Sequence, residues 1–468
     1  MSTEKPFDPF DVLFSPTRAP QPAWPDEPSR PAKAEAGAAP QPPAVNAGAP
    51  PMPSLVAPQR LEDTGLDAIY VQELIIKCIN AQGTPRAIDI ADTLRLGYNS
   101  IEDQFEFLKQ HHQVAVVGGG GQFGRQTMQY ALTEKGTNRL AEVMRRDNYF
   151  GPAPYPAEKW FELVRAQSIT REPVTPDRVE KAFSKLVLDA SVVERIGPAI
   201  NSGRSIFLYG PPGNGKTSLG ECITAAMGGE VFVPYAIISG RQVVRIYDSL
   251  YHTALESPGE ADKMRRDARL VRCQRPVVMV GGELTLETLD LVRTAEATWY
   301  EAPFQVKSTN GVLFIDDFGR QRMNPQDLLN RWIVPLESRF DFLTFAGGQK
   351  LRVPFDGLLV FSTNLDPKQL VDEAFLRRIR YKILIGDPSE ANFRRIWDIM
   401  ARLRNVQSPP GVLDYLIERH YRGKRPFRAC QPRDLIDQFV DLMRFSGVAP
   451  VLSLEIIDRL VALYFADL

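Results

Sequence analysis

The chain has 468 residues, enough for two or three domains, and its 56 Lys and Arg nearly balance its 57 Asp and Glu. A net charge of −1 excludes a generally basic, nucleic-acid-coating surface, and the lack of an apolar run of eighteen residues excludes a membrane-spanning helix. The start Met1-Ser-Thr-Glu-Lys-Pro6 has no secretory pattern, and Cys78, Cys222, Cys273 and Cys430 are too scattered for a disulfide frame or a zinc site, so a cytoplasmic location is expected.

Residues 1–58 carry fifteen of the 38 prolines and few large apolar groups, a composition that predicts a disordered Pro/Ala-rich tail. Within it, Pro6-Phe-Asp-Pro-Phe-Asp-Val-Leu-Phe14 reads either as a docking motif for a partner or as plain apolar content. Residues 60–147 read as a compact α+β module. Helical spacing runs from Leu66 to Asn80 and again from Pro85 to Gly97. A third helix, capped by Asn99 or Ser100, reaches His111. Val114–Val117 and Thr127–Leu132 read as a hairpin around a Gly-rich tip, and Thr133 caps a last helix. This order, with Leu132-Thr-Glu-Lys-Gly136, resembles the winged-helix fold.

Winged helices often bind DNA, but the segment in the recognition position, Asn99 to Gln110, carries three carboxylates and one lysine. A helix beside phosphates normally carries net positive charge, which favours protein recognition here over DNA binding or a purely structural role. Residues 148–176, with Gly151-Pro-Ala-Pro-Tyr-Pro156, are expected to form a stiff linker.

From 177 to 387 strands and helices alternate. Phe183 to Ile200 reads as one helix. Ser205–Tyr209, Glu230–Pro234, Val312–Ile315 and Leu358–Phe361 read as strands, the last two as continuous apolar runs suited to burial on both faces. A parallel sheet flanked by helices is expected, followed by a helical lid over 388–468. Between 230 and 312 lies an insertion with a basic run, Lys263 to Arg275. It could meet nucleic acid, an acidic partner or a neighbouring subunit, or form a solvated helix face.

The strongest motif is Gly210-Pro211-Pro212-Gly213-Asn214-Gly215-Lys216-Thr217, with Ser218 behind it. It fits G-x-x-x-x-G-K-[ST] between a strand and a helix, where main-chain N–H groups and the helix start cradle a phosphate. Lys216 is expected to reach the β/γ-phosphates of ATP and Thr217 to ligate Mg²⁺. Asp316 and Asp317 follow the apolar strand 312–315: Asp316 for the Mg²⁺ environment, Asp317 to orient or deprotonate the attacking water. Asn364, closing the strand at 358–361, is placed to hold that water. Arg377, Arg378 and Arg380 offer a guanidinium to a neighbouring subunit's γ-phosphate, and Arg433 in Gln431-Pro-Arg-Asp-Leu435 can touch the phosphates from the lid.

Together these motifs resemble the AAA+ ATPases over residues 177–468, nearest in pattern to MoxR-like proteins with an N-terminal winged helix. That resemblance implies an α/β P-loop NTPase core with a C-terminal helical lid, and a homo-oligomer, usually a hexameric ring. It implies Lys216 and Thr217 as Walker A, Asp316 and Asp317 as Walker B, Asn364 as sensor 1, Arg377 or Arg378 as arginine finger and Arg433 as sensor 2. The expected activity is Mg²⁺-dependent ATP hydrolysis that remodels a protein partner, the winged helix serving as adaptor. A DNA-associated ATPase is the alternative, because Asp-Asp-Phe-Gly319 also resembles helicase loaders. One departure stands out: the superfamily normally has Asp-Glu where this chain has Asp-Asp. A carboxylate one methylene shorter implies slow basal hydrolysis, raised by a partner or by assembly.

Overall fold

The computed structural model describes residues 53, 55–119, 124–256, 259, 265–293, 295–370, 376–447 and 449–465. The Pro-rich tail with its Phe-rich stretch, most of the Gly-rich tip, the start of the basic run and residues 371–375 lie outside the described residues.

The N-terminal module has the expected order of elements. Helices α1 (Ala68–Gln82), α2 (Ala87–Leu94) and α3 (Tyr98–Gln110) precede an antiparallel hairpin of β1 (Val114–Gly118) and β2 (Gln129–Leu132), then α4 (Glu134–Arg146). The Asp67 carboxylate starts α1 by accepting from Ile69 N at 2.7 Å, and Thr133 Oγ1 starts α4 by accepting from Gly136 N at 3.1 Å. The expected cap of α3 is not used. That helix begins after Gly97, and the Ser100 hydroxyl turns back to donate to Gly97 O at 2.7 Å.

Residues 148–176, expected as a linker, are built into the fold. Tyr155–Pro156 is β3, and α5 (Ala157–Ala166) buries Trp160, Leu163 and Val164. Asn148 holds the module's end by accepting from Thr298 N at 2.9 Å while its own N–H donates to Thr298 Oγ1 at 2.7 Å. A linker lacks such a buried apolar face; this segment has one.

The helix expected over 183–200 begins only at Ala190: α6 (Pro176–Phe183) ends first, and residues 184–189 loop from it to α7 (Ala190–Asn201). Next come β4 (Ser205–Tyr209) and α8 (Lys216–Met227). The insertion holds β5 (Glu230–Pro234), β6 (Ala236–Ser239), β7 (Gln242–Arg245), β8 (Leu270–Gln274), β9 (Val277–Val280) and β10 (Tyr300–Glu301). Strand β5, expected in the parallel sheet, pairs antiparallel with β8 instead. A mixed sheet of order β10-β7-β6-β3 joins the segment leaving the N-terminal module to the insertion.

The basic run is structural where it is described, rather than a solvated helix face. Buried Arg269 donates to both oxygens of Asp267 and to Thr64 O at 2.9 Å; Arg272 Nε pairs with Glu230 at 2.6 Å. Arg275 donates to Gly228 O and Asn310 O at 2.9 and 2.7 Å. Arg269 and Arg275 thereby satisfy the carbonyls of buried Thr64 and Asn310 and of half-buried Gly228.

The remaining elements are β11 (Val312–Ile315), α9 (Pro325–Ser338), the hairpin β12 (Phe340–Thr344) and β13 (Lys350–Pro354), β14 (Leu358–Thr363) and β15 (Tyr381–Leu384). Five strands form one parallel sheet of order β15-β4-β14-β11-β9. Every residue of β11 and β14 is buried. Alternation sends Val312 and Phe314 towards α7 and α8, with Ile196, Leu219 and Ile223, and sends Leu313 and Ile315 towards α9, with Leu328, Leu329 and Trp332. The continuous apolar runs therefore serve two opposite cores. After Pro388 come α10 (Glu390–Leu403), α11 (Val412–Leu416), α12 (Gln431–Ser446) and α13 (Leu454–Tyr464), packed around Phe393, Trp397, Ile436 and Phe439.

Candidate active site

The site forms where β4, β11 and β14 end at the same edge of the sheet. Beyond β4 the chain loops through Gly210–Gly215 into α8. Two glycines have no substitute there. Gly210 has φ +138°, and an added Cβ would lie 2.3 Å from Ile385 O. Gly213 has φ +80°, and its Cβ would lie 2.5 Å from Cys430 Sγ.

The predicted Lys, Thr, Asp and Asn side chains meet at this edge. Lys216, at the first turn of α8, is buried. Its Nζ donates to Gly210 O at 3.0 Å, Pro211 O at 2.9 Å and Asn364 Oδ1 at 2.6 Å. Burial pushes its ammonium below the ordinary lysine value, while Asp316 and Asp317 push it back up. Thr217 Oγ1 donates to Asp316 Oδ2 at 2.7 Å, and Asn364 Nδ2 donates to Asp317 Oδ1 at 2.8 Å. One amide thus bridges the lysine and the second carboxylate.

The Asp-Asp pair has a distinctive backbone. Asp317 sits at φ +47°, its N–H donating to Asp316 Oδ1 at 3.0 Å. The turn is fixed by Phe318 N donating to Ser362 O at 2.7 Å and by Thr363 Oγ1 donating to Phe318 O at 2.7 Å. Aspartate is among the few residues that tolerate this left-handed region. The departure from Asp-Glu therefore coincides with a backbone that favours the shorter acid. Gln321, which sequence reasoning missed, braces the turn by donating to Asp316 O at 2.9 Å and accepting from Gly319 N at 2.8 Å.

These groups line a cavity of about 460 Å³. Pro212, Gly213, Asn214, Gly215, Lys216, Thr217 and Ser218 face it, whereas Gly210 and Pro211 act from behind through their carbonyls. The opposite wall is apolar. Val187 and Leu188 come from the loop between α6 and α7, and Ile396, Ile399 and Met400 from α10. No motif announced that wall: Leu186-Val-Leu188 reads as part of a helix until the loop peels it away.

The loop and the terminal helices are tied directly. Asn214 is buried; its Nδ2 donates to Asp387 Oδ1 at 2.9 Å and its Oδ1 accepts from Ala429 N at 3.0 Å. Cys430 N donates to Gly213 O at 2.8 Å, and Arg428 pairs with Asp387. Expected only as a phosphate-loop residue, Asn214 uses its side chain on the C-terminal helices.

Two sets of arginines differ in placement. Arg433 lines the cavity, held by Asp434 at 2.8 Å, a bond that raises its pKa above the ordinary arginine value. Arg377 and Arg378 lie outside this cavity, and Arg378 Nε pairs with Glu337 on α9 at 2.6 Å. Exposed Arg380 is also outside it. The four cysteines are free, and among the described residues no helix is long and apolar enough to cross a membrane.

Residues 389–462, the C-terminal helices, match the family described as "Domain of unknown function (DUF8689)". No curated protein matches the chain. Among solved structures the chain is similar to RuvB of Thermotoga maritima, described as a Holliday junction branch migration motor. The identity is 15% over 63% of this chain and 73% of that one, with a TM-score of 0.34. It is similar as well to NtrX of Brucella abortus in complex with ADP, at 14% identity over 69% of this chain and 65% of that one, TM-score 0.37. Likenesses this low add no weight, and the fold and site stand on the geometry of this chain.

Proposed function

We propose that the chain is an AAA+-type ATPase that binds ATP in the 460 Å³ cavity and hydrolyses it in the service of remodelling a protein partner. The observation that carries this reading is the convergence of Lys216, Thr217, Asp316, Asp317 and Asn364 on one sheet edge beside a glycine loop. Loop N–H groups and Lys216 hold the phosphates, and the apolar wall of Val187, Leu188, Ile396 and Met400 takes the base. Thr217 Oγ1 and Asp316 Oδ2, 2.7 Å apart, are the hard oxygen donors that Mg²⁺ prefers, so they fit as its holders. Mg²⁺ bound there would neutralise charge on the phosphate oxygens.

In this reading Asp317 orients and deprotonates the attacking water, and Asn364 keeps the carboxylate aimed. Arg433 leaves Asp434 to reach the phosphates. Arg377 or Arg378 serves the site of a neighbouring copy in a ring, of six as the family resemblance implies, where such a group contributes ~10³–10⁵ in rate. The N-terminal module, read as a winged helix, is the adaptor. Its α3 carries Glu102, Asp103 and Glu106, two of them already paired with Arg125 and Lys109, a charge pattern that supports a protein partner over duplex DNA.

The test uses labelled ATP and phosphate release. Lys216→Ala should lose nucleotide uptake, and Asp317→Asn should bind ATP while turnover falls ~10²–10⁴-fold. Unchanged uptake by Lys216→Ala would refute the site. Salt-sensitive duplex binding in a gel shift would replace the protein-partner reading with a DNA-associated one.

A further inference from the structure

A second cavity, of about 340 Å³, lies apart from the nucleotide site, where residues 149–152 meet β7 and Trp299. Five aromatic rings line it: Tyr149, Phe150, Tyr235, Tyr247 and Trp299. Four of them form edge-to-face pairs, Tyr235 with Tyr247 at 5.3 Å and Tyr149 with Trp299 at 6.5 Å between centroids. The Arg245 guanidinium lies 4.8 Å from the Trp299 centroid. Aromatic side chains stabilise a fold mainly by burial. Yet Phe150 is 47% exposed, and Tyr235, Tyr247 and Trp299 are only half-buried. These rings border a concavity that a ligand can fill.

The polar atoms of the wall narrow the ligand's chemistry. Among the described residues the hydroxyls of Tyr235 and Tyr247 and the indole N–H of Trp299 have no hydrogen-bond partner. The carboxylate of the lining, Asp248, is already engaged by Lys307 Nζ at 2.7 Å and Leu250 N at 3.0 Å. Both tyrosine hydroxyls can donate, and the indole N–H can only donate, so three donors are open to a ligand's acceptors. Arg245 is neutralised by Glu301, so the pocket lacks the net positive field that phosphate backbones require.

We infer that this cavity receives a polyproline II segment of a protein partner. Prolyl rings lie flat on aromatic faces, and the backbone of such a segment presents carbonyl acceptors without N–H donors. It also enters the pocket with its conformation already set, so little ordering entropy opposes binding.

Fluorescence anisotropy of the full chain with fluorescein-labelled decaproline tests this, against a Gly/Ser peptide of equal length and oligothymidylate. Saturable decaproline binding is expected, weakened about tenfold or more by Trp299→Ala. Tyr247→Phe, which removes one hydroxyl, should weaken it about fivefold. Thermal midpoints of both variants establish that the fold is intact; should Trp299→Ala not fold, Tyr247→Phe alone decides. Absent decaproline binding, or binding that neither folded variant alters, overturns the proposal. Oligothymidylate binding lost on substitution overturns it as well, in favour of single-stranded nucleic acid.

Discussion

Asn364 reaches Asp317 and Lys216 at once: its Nδ2 lies 2.8 Å from Asp317 Oδ1, and its Oδ1 accepts from Lys216 Nζ at 2.6 Å. The position of the acid is thus set by an amide and by a left-handed backbone at φ +47°. Asp317→Glu, which puts the longer acid in that position, should therefore slow the proposed hydrolysis. A longer side chain in that backbone region costs ~1–2 kcal/mol and displaces the carboxylate from Asn364. Phosphate-release rates at saturating ATP check this, and a faster Asp317→Glu protein would refute it.

Asn214→Ala removes the acceptor of Ala429 N and the donor to Asp387. Asp387 keeps its ion pair with Arg428, while the half-buried Ala429 N–H loses its acceptor, a loss of ~0.5–1.5 kcal/mol. A lower thermal midpoint is expected, together with nucleotide affinity reduced several-fold, since the loop loses its brace to α12. A drop in stability with unchanged affinity would confine Asn214 to a structural role.

Gly220 lies within α8, and an added Cβ would sit 2.6 Å from the Phe314 ring. Alanine improves helix propensity by about 1 kcal/mol, but overpacking costs ~1–3 kcal/mol and here presses on the strand that carries Asp316. Gly220→Ala should lower stability on balance. Denaturant unfolding measures it, and a more stable variant would show that Phe314 yields freely.

His252 gives a pH dependence. Its Nδ1 faces Asp248 N at 3.0 Å and its Nε2 faces Lys307 O at 2.9 Å, contacts the neutral Nε2–H ring satisfies together. Burial pushes the imidazole below its ordinary value of about 6.5, while backbone contacts raise it part of the way back. Between the lowered folded value and about 6.5, the unfolded chain binds more protons, so stability falls as pH falls through that window. The thermal midpoint should drop between pH 7.5 and 5.5, and less steeply in His252→Gln. Equal slopes would exclude His252 as the source.

Where a run of residues has one physical reason for its pattern, the sequence was readable. Val312–Ile315 is apolar throughout because alternate side chains enter opposite cores, and Gly213 is a glycine because Cys430 lies against it. The element order of the N-terminal module was likewise readable from period and caps. What escaped depends on tertiary pairing. Strand β5 looks like its neighbours but finds β8, and the ionic partners of Arg269 and Arg272 hold an insertion that reads as a basic helix face. Val187 and Leu188 face the cavity only because α6 stops at Phe183. No local signal distinguishes these outcomes.

Strand β3 leaves the N-terminal module and at once hydrogen-bonds to β6 of the insertion, while Lys77 is ion-paired with Asp147 at 2.8 Å where that module ends. Main-chain pairing and an ion pair both hold the joint. In the proposed reading, a partner held by α3 or the hairpin would be tied through this joint to the segment that leads into the nucleotide-binding core.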